Sequence, residues 1–180
     1  RKEAHDTFGA APDMATAHLL QAIGPVTGQI IAGYMPIRTE IDPRPAMEVL
    51  AQDNQLCLPV ILAKDRPLLF RAWVYNGPLF VGEFGAKIPP DGAAVSPDIL
   101  IVPLVGFDPH GQRLGYGGGF YDRSLAQLRA ANPRLRAIGL AYEAQRLPHL
   151  PTEATDQPLD LVVTEAAIHH PALAHGGKGD

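Results

Sequence analysis

Cysteine occurs once in the 180 residues, at position 57, so no intramolecular disulfide framework can form. Such usage fits a reducing compartment, and a cytoplasmic protein is expected. Cys57 stands in the apolar run Leu56-Cys57-Leu58-Pro59-Val60 with no base nearby, the setting of a small buried hydrophobe rather than a nucleophile. No apolar run approaches the ~20 residues needed to span a bilayer. A secretory signal pattern is also lacking, although the chain begins at Arg1 without Met. The formal charge is −4 and the basic residues are scattered, which leaves no electrostatic footprint for DNA, RNA or an anionic membrane. A small anionic ligand can still meet a local positive patch. Neither a Ser-His-Asp nor a Cys-His arrangement is in evidence.

What the chain does have is enough apolar residue, 46 %, for one compact domain over 1–180. Short runs rich in Val, Ile and Leu, bounded by Gly, Pro or Asp, predict strands at Gln29 to Tyr34, Leu56 to Leu62, Ile99 to Val105, Ala137 to Tyr142 and Leu161 to Thr164. Helical spacing lies between them at Met14 to Ile23, Pro45 to Gln52 and Tyr121 to Ala131. This alternation indicates an α/β domain with a mostly parallel sheet. Leu68 to Val74 alternates like a half-exposed strand before the turn residues Asn76-Gly77, so Pro67 to Val81 is expected to form an antiparallel hairpin on the sheet's edge. Trp73 packs there or stacks on a ligand. Lys87 to Asp98, with its prolines, reads as a rigid loop. From His169 onward a flexible tail is expected: the spacing of His169, His170 and His175 fits no metal-ligand set, and Gly176-Gly177-Lys178 lacks the rest of a phosphate loop.

Chemistry concentrates between Pro97 and Arg123. A buried strand leads to a turn at Pro109 to Gly111, then to the glycine-rich run Gly115-Tyr116-Gly117-Gly118-Gly119, then to a helix beginning near Tyr121. Glycines at such density cost backbone entropy and mark a need for φ > 0 or close approach. A loop opening onto a helix N-terminus offers free amide N–H groups and the positive end of the helix dipole, which together bind phosphate; a tight strand-to-helix turn is the plainer alternative. Arg113, just before the loop, can add a charge-assisted contact. Asp122 can cap the helix or hold magnesium.

Phe107-Asp108, then Gly111-x-Arg113-Leu114-Gly115-Tyr116-Gly117-Gly118-Gly119-Phe120-Tyr121-Asp122, resembles the signature of the 5-formyltetrahydrofolate cyclo-ligase family, FD-x-x-G-x-RLGYGGGYYD, with Phe120 for the common Tyr. Tyr34 to Asp42, Leu58-Pro59-Val60, Ile138 to Tyr142, Gln145, Leu150-Pro151-x-Glu153, Asp156, Asp160 and Thr164-Glu165 follow in the family's order. The resemblance implies a three-layer α/β fold, related to sugar-phosphate isomerases and CoA-transferases, in which a monomer converts 5-formyltetrahydrofolate to 5,10-methenyltetrahydrofolate with ATP and Mg2+. It assigns ATP binding to Arg113, Leu114, Gly115, Tyr116, Gly117, Gly118, Gly119, Phe120 and Tyr121, with Arg113 and Gly117 to Gly119 catalytic. Folate contacts fall on Met35, Glu40, Tyr116, the same three glycines and Phe120; magnesium falls on Asp122 and Asp156. Without the resemblance Asp156 reads as an exposed loop residue and Glu40 as a cap for the helix beginning near Asp42-Pro43.

Two departures accompany it. Relatives begin with a basic helix whose Lys and Arg reach the nucleotide, and this helix is expected to be missing here, with Arg1 and Lys2 poor substitutes. Ile88 stands where many relatives carry Glu. The competing functions are a sugar-phosphate isomerase, which needs no ATP but does need a proton-transferring carboxylate, and a non-catalytic folate or nucleotide binder.

Overall fold

In the computed structural model, residues 11–172 are described. The start of the chain, where a basic helix is expected to be missing and Arg1 and Lys2 stand, and the tail from 173 onward lie outside the described residues.

Helix α1, Ala11–Ile23, buries Ala15, Leu19 and Ile23, spaced four apart on one stripe. It ends at Gly24, whose φ of 77° suits the left-handed residue that closes a helix, and whose N–H bonds Leu20 O at 2.9 Å. Strand β1, Ile30–Ala32, leads to α2, Arg44–Leu50, where Asp42 Oδ1 accepts the Arg44 N–H at 2.9 Å. Gly33 clears the space that the Met47 side chain fills as α2 settles on the sheet. Then come β2, Gln55–Val60, and β3, Leu69–Trp73, followed by a ribbon of β4, Phe80–Val81, and β5, Lys87–Ile88. Strand β6 is Ile99–Pro103, and the short pair β7, Gly106–Phe107, and β8, Arg113–Leu114, precedes α3, Phe120–Ala131. Strands β9, Arg136–Leu140, β10, Leu161–Val163, and β11, Ile168–His169, complete the chain.

The sheet runs β11-β10-β9-β6-β1-β2-β3, parallel from β10 to β2 and antiparallel at both edges. One face carries α1 and α2 over Ile31, Leu58, Ile101 and Ile138; the other carries α3, through Leu125, over Leu100, Val102, Ala137 and Val162. Strands covered on both sides read as unbroken apolar runs, which is why the five predicted core strands and three helices fall within a few residues of their observed bounds. The Cys57 thiol lies fully buried, its pKa pushed up to about 12 by desolvation and by the Asp98 carboxylate.

Two expectations are corrected. The edge strand β3 is antiparallel, but it pairs with β2, from Leu56↔Trp73 to Val60↔Leu69, and not with the chain beyond Asn76-Gly77. That turn forms, with Asn76 at φ 61°, yet Phe80–Val81 pairs with Lys87–Ile88 in its own ribbon. Burial decides the choice. Phe70 and Trp73 enter the cores on opposite faces of the sheet, which a detached hairpin cannot offer, whereas Phe80 and Val81 remain exposed. Trp73 therefore packs, edge-on to Tyr75. The other correction concerns the tail: Ile168–His169 is a strand, because Val162 and Val163 pair with it and His169 Nε2 lies 2.6 Å from Glu143 Oε2.

Candidate functional site

The chain leaves β1 in one direction across the sheet, towards β2 and β3, and leaves β6 in the other, towards β9 and β10. Loops at the carboxyl ends of two such strands diverge and open a crevice, the usual ligand position in doubly wound sheets. Here the loops are 33–43, after β1, and 104–119, after β6. They meet where Arg38 lies over the Tyr116 ring at 5.9 Å; nearby, burial first and the Glu40 carboxylate second raise the pKa of the Tyr121 hydroxyl.

Asp108 builds the second loop. Its buried carboxylate accepts the N–H groups of His110 at 2.9 Å and Gln112 at 3.0 Å through Oδ1, and that of Leu150 at 3.1 Å through Oδ2. Gly111, at φ 75°, closes the turn so that β7 pairs with β8 and delivers Arg113. The Arg113 side chain is only 6 % exposed; it bonds Asp122 Oδ1 at 2.9 Å and stacks on Tyr121 at 5.6 Å. Its Nε is buried with no partner among the described residues. An orphaned donor of this kind costs about 1–3 kcal/mol unless an acceptor arrives.

Beyond Arg113 the loop lies open. Tyr116, Gly117 and Gly118 are exposed, so among the described residues none closes the bend to an anion. Gly117 needs glycine for its φ of 87°, whereas Gly118 is required because any side chain would strike the Phe120 ring. Helix α3 starts at Gly119 with no side-chain cap, leaving its first N–H groups without the oxygen that Ser or Asp would bring. Leu114 belongs to the hairpin, its carbonyl accepting the Val105 N–H at 2.8 Å.

Asp122 does not cap α3; it pairs with Arg113 and accepts the Gln157 N–H at 3.1 Å. That bond brings the neighbouring Asp156 to the same corner, where its Oδ2 accepts the Glu153 N–H at 2.7 Å. No group of three or more His, Cys, Asp or Glu suited to a metal occurs among the described residues. Two carboxylates fit magnesium nonetheless, since it usually takes one or two of them together with phosphate oxygens and water.

On the β1 side, Glu40 is buried and its Oε2 accepts the Ile37 N–H at 2.9 Å. At the start of α2 it is Asp42 Oδ1, and not Glu40, that accepts the Arg44 N–H. Met35 is half-buried against the α1–α2 core. Phe120 faces Phe84 of the β4–β5 ribbon at 6.5 Å, and Tyr121 turns to the core. Ile88 packs on Gly82 inside that ribbon. A separate cleft of about 510 Å³ lies beside Asp108, His110, His149 and Asp160, but no arginine or lysine among the described residues lines it. Motif reading passed over Arg38, Phe84 and Arg123, of which Arg123 carried a signal: it directly follows the signature, four residues beyond the helix-capping glycine.

Fold and site define a doubly wound α/β protein with an anion-ready glycine loop at its switch point. The model of the 5-formyltetrahydrofolate cyclo-ligase family matches residues 2–165, and the chain belongs to that family. It is 37 % identical over 161 residues to the 5-formyltetrahydrofolate cyclo-ligase of Haemophilus influenzae, covering 85 % of each chain. The Escherichia coli K12 cyclo-ligase is 34 % identical over 150 residues, with 79 % of this chain and 81 % of that one covered. Among solved structures, the Aquifex aeolicus 5,10-methenyltetrahydrofolate synthetase superposes with a TM-score of 0.72 at 28 % identity, over 94 % of this chain and 87 % of that one.

Proposed function

We propose that this enzyme closes the ring of 5-formyltetrahydrofolate with ATP, giving 5,10-methenyltetrahydrofolate, ADP and phosphate, as a monomer in the cytoplasm. The observation that carries the ATP part is the buried, unpartnered Arg113 Nε beside a solvent-open glycine loop at a helix N-terminus.

In this reading the N5-formyl oxygen attacks the γ-phosphorus and the bond to ADP breaks. N10 then adds to the formyl carbon, the C–O bond breaks, and phosphate leaves with the N10 proton. No side-chain nucleophile is needed. The protein aligns the formyl oxygen with the phosphorus and stabilises charge on the phosphoryl oxygens, by the Arg113 guanidinium, the amides of Gly117 to Gly119 and the α3 dipole. Asp122 and Asp156 would hold magnesium, which when bound neutralises phosphate charge. Glu40 pairs with the adjacent N–H donors of the pterin, while Met35, Tyr116 and Phe120 wall the ring.

The test follows the near-ultraviolet band of the conjugated methenyl product. It is expected only when 5-formyltetrahydrofolate, ATP and magnesium are all present; product without ATP rejects the reading.

A further inference from the structure

Arg123 has no part in the roles given so far, yet it grips the glycine loop. Its Nη2 donates to Gly118 O at 2.6 Å, and its guanidinium lies 5.3 Å from the Phe120 ring centre. A side chain on Gly119 would sit 2.6 Å from Nη1, so the guanidinium lies close against the Gly118–Gly119 segment. The Arg123 Nε is buried without a partner.

A peptide between two glycines is little restrained, and rotating it exchanges a donor for an acceptor. In one orientation it offers N–H to a phosphate; in the other it offers C=O, which repels one. The peptide is trans, so its C=O and N–H point opposite ways. With Gly118 O drawn to Arg123, the Gly119 N–H faces away from the guanidinium. Gly119 brings no side-chain cap to this helix start, and among the described residues it is Arg123 that bonds the preceding carbonyl.

We propose that Arg123 is a positioning residue: its bond to Gly118 O locks the Gly118–Gly119 peptide with the Gly119 amide turned towards the terminal phosphates of the nucleotide. The inference rests on the ATP-dependent reading above. Losing the latch lets part of the population present the carbonyl, and apparent affinity falls by the fraction still competent.

The experiment measures steady-state kinetics of Arg123→Met and Arg123→Lys beside Arg113→Ala. For Arg123→Met the KM for ATP rises roughly fivefold, while kcat at saturating ATP and the KM for 5-formyltetrahydrofolate stay near wild type. Arg123→Lys, which keeps a positive charge and N–H donors but has no planar fork, lies between, and serves alone should the Met variant fail to fold. Full recovery by Lys would mean that a point charge suffices, and overturns the latch. Equal rises in both KM values, or a fall in kcat alone, overturn it too. An effect of Arg113→Ala on ATP with none from Arg123→Met sinks the latch alone; if neither variant changes the KM for ATP, phosphate binding at the loop fails with it.

Discussion

Arg113 shows how one residue serves both fold and chemistry. Its bond to Asp122 satisfies one end of the guanidinium, while the buried Nε keeps a donor in reserve beside the loop. A hydrogen bond to a charged group contributes about 1.5–3 kcal/mol, and each 1.36 kcal/mol is tenfold in rate. Arg113→Ala is therefore expected to lower kcat/KM for ATP at least about tenfold, read by the methenyl band, and Arg113→Lys to restore only part of it. Unchanged kinetics would remove Arg113 from the site. At this scale the chain itself points to candidates: an unusual glycine run and a signature of fixed spacing frame Arg113 and Asp122, and the resemblance of Tyr34 to Asp42 to a second family segment points to Glu40. What spacing could not give is direction: the Asp122 carboxylate accepts the N–H of Gln157, the residue after Asp156, a contact spanning 35 residues that no local pattern encodes.

Elements followed their hydrophobic periods, and the errors fell where periodicity is silent. Leu69–Trp73 read correctly as an antiparallel edge strand, but a turn signal names only the neighbouring segment, and β2 offered more buried contact. The β11 strand escaped notice because a two-residue element has no period. Polar bonds hold it instead. Glu143, in the short 3-10 turn after β9, accepts the Thr164 hydroxyl at 2.8 Å and faces His169 Nε2 at 2.6 Å, with Arg146 at 3.6 Å. Burial raises the Glu143 pKa, but the bonds from Thr164 and His169 and the nearby charges outweigh it, so the net shift is downward. A carboxylate depressed in the folded state contributes its full stability above the ordinary Glu range and loses it as pH falls through the lowered value. Replacing Glu143 by Gln should thus cost about 1 kcal/mol near neutral pH, allowing for its partial exposure. The difference between the two proteins should shrink below the ordinary glutamate range, as urea midpoints across pH can test. A gap that widened in acid would contradict the assignment.

For the whole molecule, the decisive fact is strand order. Placing β1 beside β6 joins a loop near residue 40 to one near residue 115, and alternation of strands and helices cannot announce that pairing. The crevice it creates belongs to the folded state alone, so any ligand bound across it stabilises that state by mass action. At a hundredfold excess over Kd the gain is about 2.7 kcal/mol, and in a chain of this size that corresponds to roughly 5–10 °C in Tm. Magnesium-ATP should therefore raise the melting temperature of the wild type by that order, whereas adenosine, which brings no phosphate to the loop, should shift it far less. In Arg113→Ala the starting Tm should fall, because Asp122 loses its partner, so the informative quantity is the shift caused by nucleotide and not the absolute value. That shift should collapse if the guanidinium holds the phosphates. Should it persist undiminished, the nucleotide is held elsewhere on the protein, and the open loop at the switch point is only a turn between a strand and a helix.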